Sequence, residues 1–219
     1  MDTDAFISKL AAGGAHKPMP HPLAVASKWL LALLVYFVAV TAFSGLRTDI
    51  AVKLGQPLYL VELTGMLATA ITAAVAASFL ALPDVGQRPW IRFVPFLPLM
   101  MLAGWLLHGM AAGNAMPLIE CIKMQRYQCI FLLMLFSILP GIFMFITIQK
   151  AAPTRCCWAG SMAGLSVSSF GYILLRLISD SDDPTQLIVW HFIPVMLVTM
   201  IGMVGGKLLL GRTLKARRA

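Results

Sequence analysis

Six runs of apolar residues, each long enough to cross a bilayer as a helix, constrain this chain more than any other feature of it. A helix rising 1.5 Å per residue needs about 20 apolar residues to cross a hydrocarbon core of about 30 Å. The runs extend from about Ala26 to Leu46, Leu58 to Leu82, Phe93 to Met110, Cys129 to Ile148, Trp158 to Ile178 and Leu187 to Leu210. They are too long for strands and do not alternate. Lipid also requires each backbone N–H and C=O to be satisfied within its own segment. The expected fold is an all-α integral membrane protein, a bundle of six transmembrane helices. Charge agrees: 12% of the 219 residues are Asp, Glu, Lys or Arg, about half of the ~25% that keeps a soluble domain wet.

Pro, Gly and Asp punctuate the chain between the runs, as at Gly55-Gln56-Pro57 and Asp182-Asp183-Pro184. About two dozen mainly polar residues precede the first run, which is longer than a cleavable signal core, so it is expected to stay in the membrane. Three parts follow: an N-terminal segment over 1–24, a transmembrane domain over 25–211, and a basic tail over 212–219. No internal repeat appears, which gives an inverted-repeat transporter no support.

Lys and Arg are distributed unevenly about the runs. Twelve lie on the side of the two termini and five on the other. Positive charge favours the cytoplasmic side, so both termini are expected there, with Asp180, Asp182 and Asp183 outside. The formal net charge of +8 forms no contiguous basic stripe. It suits anionic lipid headgroups and gives no reason to expect direct nucleic-acid contact.

Glu62 is the one carboxylate inside an expected span, near its outer end. An ionisable group in lipid is a functional candidate; the plainer alternative is a headgroup-level carboxylate taking a hydrogen bond from a neighbouring helix. His108 and His191 also fall at the outer side. With Glu62 and Cys129 they are donor types for a metal, although no ligand-pair spacing is present, and histidines beside Trp105 and Trp190 equally suit interfacial anchors. Cys121 and Cys129 are eight residues apart at the outer side. On one continuous helix that is about 12 Å, beyond disulfide reach unless the loop bends back. Cys156 and Cys157 fall on the cytoplasmic side, where thiols stay reduced. Gly160 to Gly164 and Gly202 to Gly206 are small-xxx-small patterns that let helices approach closely.

The tail Met1 to Ala12 has the pattern of a short helix opened by Thr3 and Asp4 and closed by Gly13-Gly14, with Phe6, Ile7 and Leu10 on one face. Pro18, Pro20 and Pro22 then predict an extended spacer. So short a helix needs a surface to fold on: the bilayer, the protein's own loops or another protein. No nucleotide loop, catalytic triad, haem motif or paired catalytic carboxylates occur, so an enzyme is not expected. No cofactor is expected either.

Several stretches together resemble the six-helix membrane anti-sigma factors of the NrsF (negative regulator of sigma F) family. They are Thr3-Asp4 with Phe6-Ile7 and Leu10-Ala11, then Leu60-Val61-Glu62-Leu63 before an Ala-rich helix. The run from Cys129 to Leu139-Pro140 follows, then Ala152-Pro153-Thr154-Arg155 with Ala159-Gly160 and Ala163-Gly164-Leu165, and an acidic loop before Trp190. The resemblance implies a protein of the bacterial inner membrane that holds an extracytoplasmic-function sigma factor and releases it under metal, oxidant or envelope stress. It implies that Phe6, Ile7 and Leu10, with the basic cytoplasmic loops, meet the sigma factor. It places signalling at outer-face cysteines, of which Cys129 matches the first. Ser179 stands where the second is found, and serine forms no disulfide. Cys121 is the remaining thiol at that face, and Glu62 and His191 complete the candidate sensing residues. A small transporter or metal-handling protein is the alternative from another class; it requires polar groups converging at mid-membrane.

Overall fold

A computed structural model describes residues 4, 7–8, 21–82, 89–111, 115–123, 127–151, 153 and 155–210. Six helices among them are long and apolar enough to cross a membrane: α1 Pro22–Ser44, α2 Pro57–Leu80, α3 Pro89–Ala111, α4 Tyr127–Lys150, α5 Cys156–Ile178 and α6 Pro184–Leu209. Each falls within a few residues of an apolar run. Proline opens α1, α2 and α6, where its missing N–H costs nothing and its fixed φ suits a first turn. Pro22 therefore belongs to α1 and not to the expected spacer, whose Pro18 and Pro20 lie outside the described residues. Gly45, at φ 76°, stops α1. α3 begins as a 3-10 turn over Pro89–Phe93 before its α-helical stretch Phe96–Ala111.

α5 is the axis of the bundle. Every residue from Ala159 to Arg176 is buried, and α5 is the least apolar of the six. The two facts have one cause, since a helix that lipid does not touch can carry Gly and Ser. The Gly160, Gly164, Gly202 and Gly206 pattern makes a backbone seam between α5 and α6. A Cβ on Gly160 would collide with the main-chain oxygen of Gly202, and one on Gly206 with that of Cys156. On the opposite flank the Ala-rich face of α2, including Ala70, Ala73, Ala74 and Ala77, is fully buried, and Ser166 Oγ donates to Ala70 O at 2.8 Å. The remaining helices turn large apolar side chains outward, such as Leu31, Val35 and Val38 of α1 and Phe131, Leu135, Ile138 and Ile142 of α4. The three- and four-residue steps trace the stripe a helix turns toward lipid, the surface of a multi-pass membrane protein.

Contacts define two ends. At the near end, where α1 begins, Cys156 meets Gly206 and Phe93 meets Trp158 edge to face at 5.9 Å. At the far end lie the loops 45–56, 115–123 and 179–183. Two short helices there, Ile50–Leu54 and Leu118–Lys123, are too brief to announce themselves by periodicity. α6 is wound as a π-helix over Ile188–Phe192 and Gly206–Leu210. Of the expected N-terminal helix only Asp4, Ile7 and Ser8 are described, all exposed; Phe6 and Leu10, the rest of the 1–24 segment before His21, and the 212–219 tail lie outside the described residues.

Candidate functional site

The far end gathers most of the buried charge that is described. Glu62 sits in the second turn of α2 and Arg176 in the last full turn of α5, 5% and 2% exposed. Arg176 donates from Nε to Glu62 Oε1 at 2.7 Å and from Nη2 to Oε2 at 3.0 Å. Tyr172 lies one turn before Arg176, on the same face, and its hydroxyl also donates to Glu62 Oε1. Tyr59, three residues before Glu62, donates to Arg176 O at 2.9 Å, while the guanidinium lies 4.8 Å from its ring centre. Both Glu62 oxygens thus accept hydrogen bonds, and the carboxylate clamps α2 to α5.

The network continues into the loops. Arg176 Nη1 donates to Ser181 O and, at 3.2 Å, to Asp182 Oδ1. Arg47, just past α1, donates to Asp182 Oδ2 at 3.0 Å and to Asp49 Oδ2 at 2.9 Å. Its main-chain N–H donates to Leu177 O at 2.9 Å, and its Nη1 to Ser179 O at 3.1 Å. Lys53 Nζ stands 2.8 Å from Asp182 Oδ2. Three cations therefore converge on one carboxylate. Burial alone would push the Asp182 carboxyl up; the hydrogen bonds from Arg47 and Lys53 and the Arg176 charge outweigh it and hold it well below the usual carboxylate range. The hydrogen bond to Asp49 raises the Arg47 guanidinium, burial opposes this, and Asp182 adds to the rise. Asp49 is lowered in turn, chiefly by its bond from Arg47.

Asp183 opens α6. Its Oδ1 accepts from the N–H groups of Thr185 and Gln186, the usual way of satisfying a first turn. Its Oδ2 accepts from Met116 N at 2.8 Å, and Thr185 Oγ1 donates to Met116 O at 2.8 Å. The acidic loop is thereby fastened to the segment that carries Cys121.

A second cluster adjoins this one. Cys121, Cys129 and Trp190 pack together, buried, with Met116, Ile130 and Val189 against them. Trp190 Nε1 donates to Cys121 O at 3.3 Å, and Tyr127 meets the indole edge to face at 5.4 Å. The next residue, His191, is 1% exposed and lies edge to face with Tyr172 at 5.8 Å. Trp190 and His191, consecutive on α6, thus connect the thiol cluster to the tyrosine that holds Glu62.

Cys121, Cys129, Glu62, Ser179 and His191 therefore all fall at one end. Three expectations change in detail. Cys121 lies on its own short helix, so the two cysteines pack in one buried cluster instead of standing two turns apart on one face. His191 is a core residue against Tyr172, not an interfacial anchor, because α6 turns it toward α5; His108, exposed and 6.4 Å from Trp105, does fit the anchor. Ser179 enters through its main-chain oxygen. Among the described residues no three His, Cys, Asp or Glu side chains form a metal-ligating group, so Glu62, His108, His191 and Cys129 do not converge on one.

Sequence reasoning missed Arg176, Tyr172, Arg47 and Asp182 as parts of this site. A signal exists for the first: Arg176 is a second ionisable group inside an expected span, near the same end as Glu62. The family model described as NrsF, negative regulator of sigma F, matches residues 10–211. The chain belongs to the NrsF family. No curated protein and no solved structure matches it. The NrsF match spans all six long helices and the loops that carry the buried charge network.

Proposed function

We propose that this NrsF-family protein is a membrane-held anti-sigma factor. It sequesters an extracytoplasmic-function sigma factor at the cytoplasmic face of the bacterial inner membrane and releases it on an envelope, metal or oxidative stress signal. The family match along residues 10–211 of a six-span chain carries the reading. The polarity of the molecule supports it: the buried charge network and one pair of cysteines occupy the end opposite the basic termini. On this reading that far end receives the signal, through Cys129 and Cys121 with Glu62, His191 and the Ser179 loop. The near end, with Phe6, Ile7 and Leu10, holds the sigma factor. The role is binding and release, without catalysis.

A sigma factor held at the membrane cannot reach core polymerase, and a signal lowers that hold only if it favours a state that binds less well. The test is co-purification of the detergent-extracted protein with extracytoplasmic-function sigma factors of its own cell, alongside a promoter reporter. Capture of one such factor and silencing of its reporter are expected. Failure to retain any of them would end the proposal. Among the described residues the buried charges gather at one end of the bundle, which favours this reading over a transporter.

A further inference from the structure

At the near end, the first turns of α1 and the last turns of α2 and α4 leave an apolar pocket of about 190 Å³. Pro22 and Val25 form one wall, Ala81 and Leu82 the second, and Met144 and Thr147 the third, with Lys150 also lining it. An apolar cavity of roughly 150 Å³ admits a benzene-sized ring, so this one has room for one aromatic side chain.

We infer that this pocket is the docking socket for the chain's own N-terminal segment, with the Phe6 ring as the anchor. Two observations choose this occupant. Pro22, a wall of the pocket, is the residue to which that segment is tethered. The segment also carries an apolar face, Phe6, Ile7 and Leu10, on a helix too short to persist without a surface, and Ile7 is 58% exposed. The eleven residues from Ala11 to His21 span up to about 36 Å extended, and Gly13-Gly14 permits a reversal of direction that other residues resist. A short tether gives an effective concentration in the mM range, so weak apolar contact suffices. The docked segment would hide the face offered to the sigma factor. That regulatory meaning rests on the function proposed above; the docking itself does not.

The experiment uses the full chain, one copy per nanodisc of phosphatidylethanolamine and phosphatidylglycerol, with no sigma factor. Phe6→benzoylphenylalanine is irradiated and its adducts mapped by mass spectrometry. Adducts on the peptides containing residues 78–82 and 144–151 are expected. Filling the pocket by Thr147→Trp, or from the opposite wall by Val25→Trp, should lower them roughly tenfold, the effect of denying burial to one large apolar side chain. Each variant is first checked for monodispersity and unchanged melting. Adducts confined to lipid would mean that the segment lies on the bilayer, and adducts indifferent to both tryptophans would mean that it docks elsewhere; either overturns the inference. Because sigma factor is absent, failure here leaves the anti-sigma reading standing, and failed capture of a sigma factor leaves the docking standing.

Discussion

Arg176 and Glu62, 114 residues apart in sequence, are joined by two parallel charged hydrogen bonds of 2.7 and 3.0 Å between α5 and α2. A planar guanidinium matches a carboxylate in this two-point way, and lysine does not. Arg176 also reaches Asp182, so the same side chain ties the helices to the loop that leads into α6.

Removing one member of this pair should cost more than removing both. A buried charge left without its partner destabilises by about 3–5 kcal/mol, whereas an apolar replacement of the whole pair is often neutral. Glu62→Leu and Arg176→Leu are each expected to lower the melting temperature in detergent clearly, and the double variant to recover part of the loss. Strictly additive losses would show that the two side chains do not act as a unit.

The seam between α5 and α6 predicts a steep response to size. Gly202→Ala and Gly160→Ala place a Cβ against main-chain oxygen, where no flexible side chain can yield. Overpacking of this kind costs about 1–3 kcal/mol or more. Gly104→Ala on α3, with nothing within 4 Å of its added carbon, is the control and should melt like the parent. Equal melting of all three would remove the seam from the account.

The acidic loop should be insensitive to pH until well into acid. Asp182 and Asp49 have folded-state pKa values below their ordinary 3.8. A depressed carboxyl contributes stability that is present above its unfolded value and is lost as pH falls through the folded value. Arg47, raised, keeps its charge throughout. Melting temperature should therefore be flat with respect to these groups from about pH 8 to pH 5 and fall below about pH 4. Asp182→Asn should melt lower at pH 7 and show a shallower acid limb. An acid limb as steep as the parent's would assign the fall to other carboxylates.

Deleting Met1 to Ala12 should free the sigma factor while the bundle stays folded, because the described core of α1 to α6 begins at Pro22. A truncated protein that still silences the reporter would show that the tail is not the binding element. At the other end, Cys129→Ser and Cys121→Ser should each keep silencing and lose release by oxidant or soft metal, whereas Ser179→Ala, which keeps the main-chain oxygen that Arg47 uses, should behave as the parent. Release unchanged in both cysteine variants would place the sensor elsewhere.

The six spans were legible because length and apolarity are nearly sufficient in lipid: each run had only to exceed about 20 residues. The glycine pairs at 160–164 and 202–206 announced close packing, and the structure pairs them with each other. The centrality of α5 was not read, because apolarity alone ranks it last of the six spans and its Gly and Ser content gains that meaning only beside its burial. What could not be read is pairing across distance. Nothing local links Glu62 to Arg176, or Arg47 to Asp182, 135 residues on. The expectation for His191 fails because Trp190 beside it suggests a headgroup belt, whereas α6 buries both, Trp190 against the two cysteines and His191 against Tyr172. Cys121 and Cys129 were separated by assuming one continuous helix where the structure has two elements.

The glycine seam has a mechanical consequence. Where two helices touch backbone to backbone over several turns, neither can slide or roll without the other, and the pair behaves as a stiff beam running the depth of the bundle. One tip of that beam carries Trp190 and His191, and the other carries Cys156 and Gly206. A displacement of α6 at the first tip therefore meets resistance along the seam, because no flexible side chain lies between the two backbones to yield.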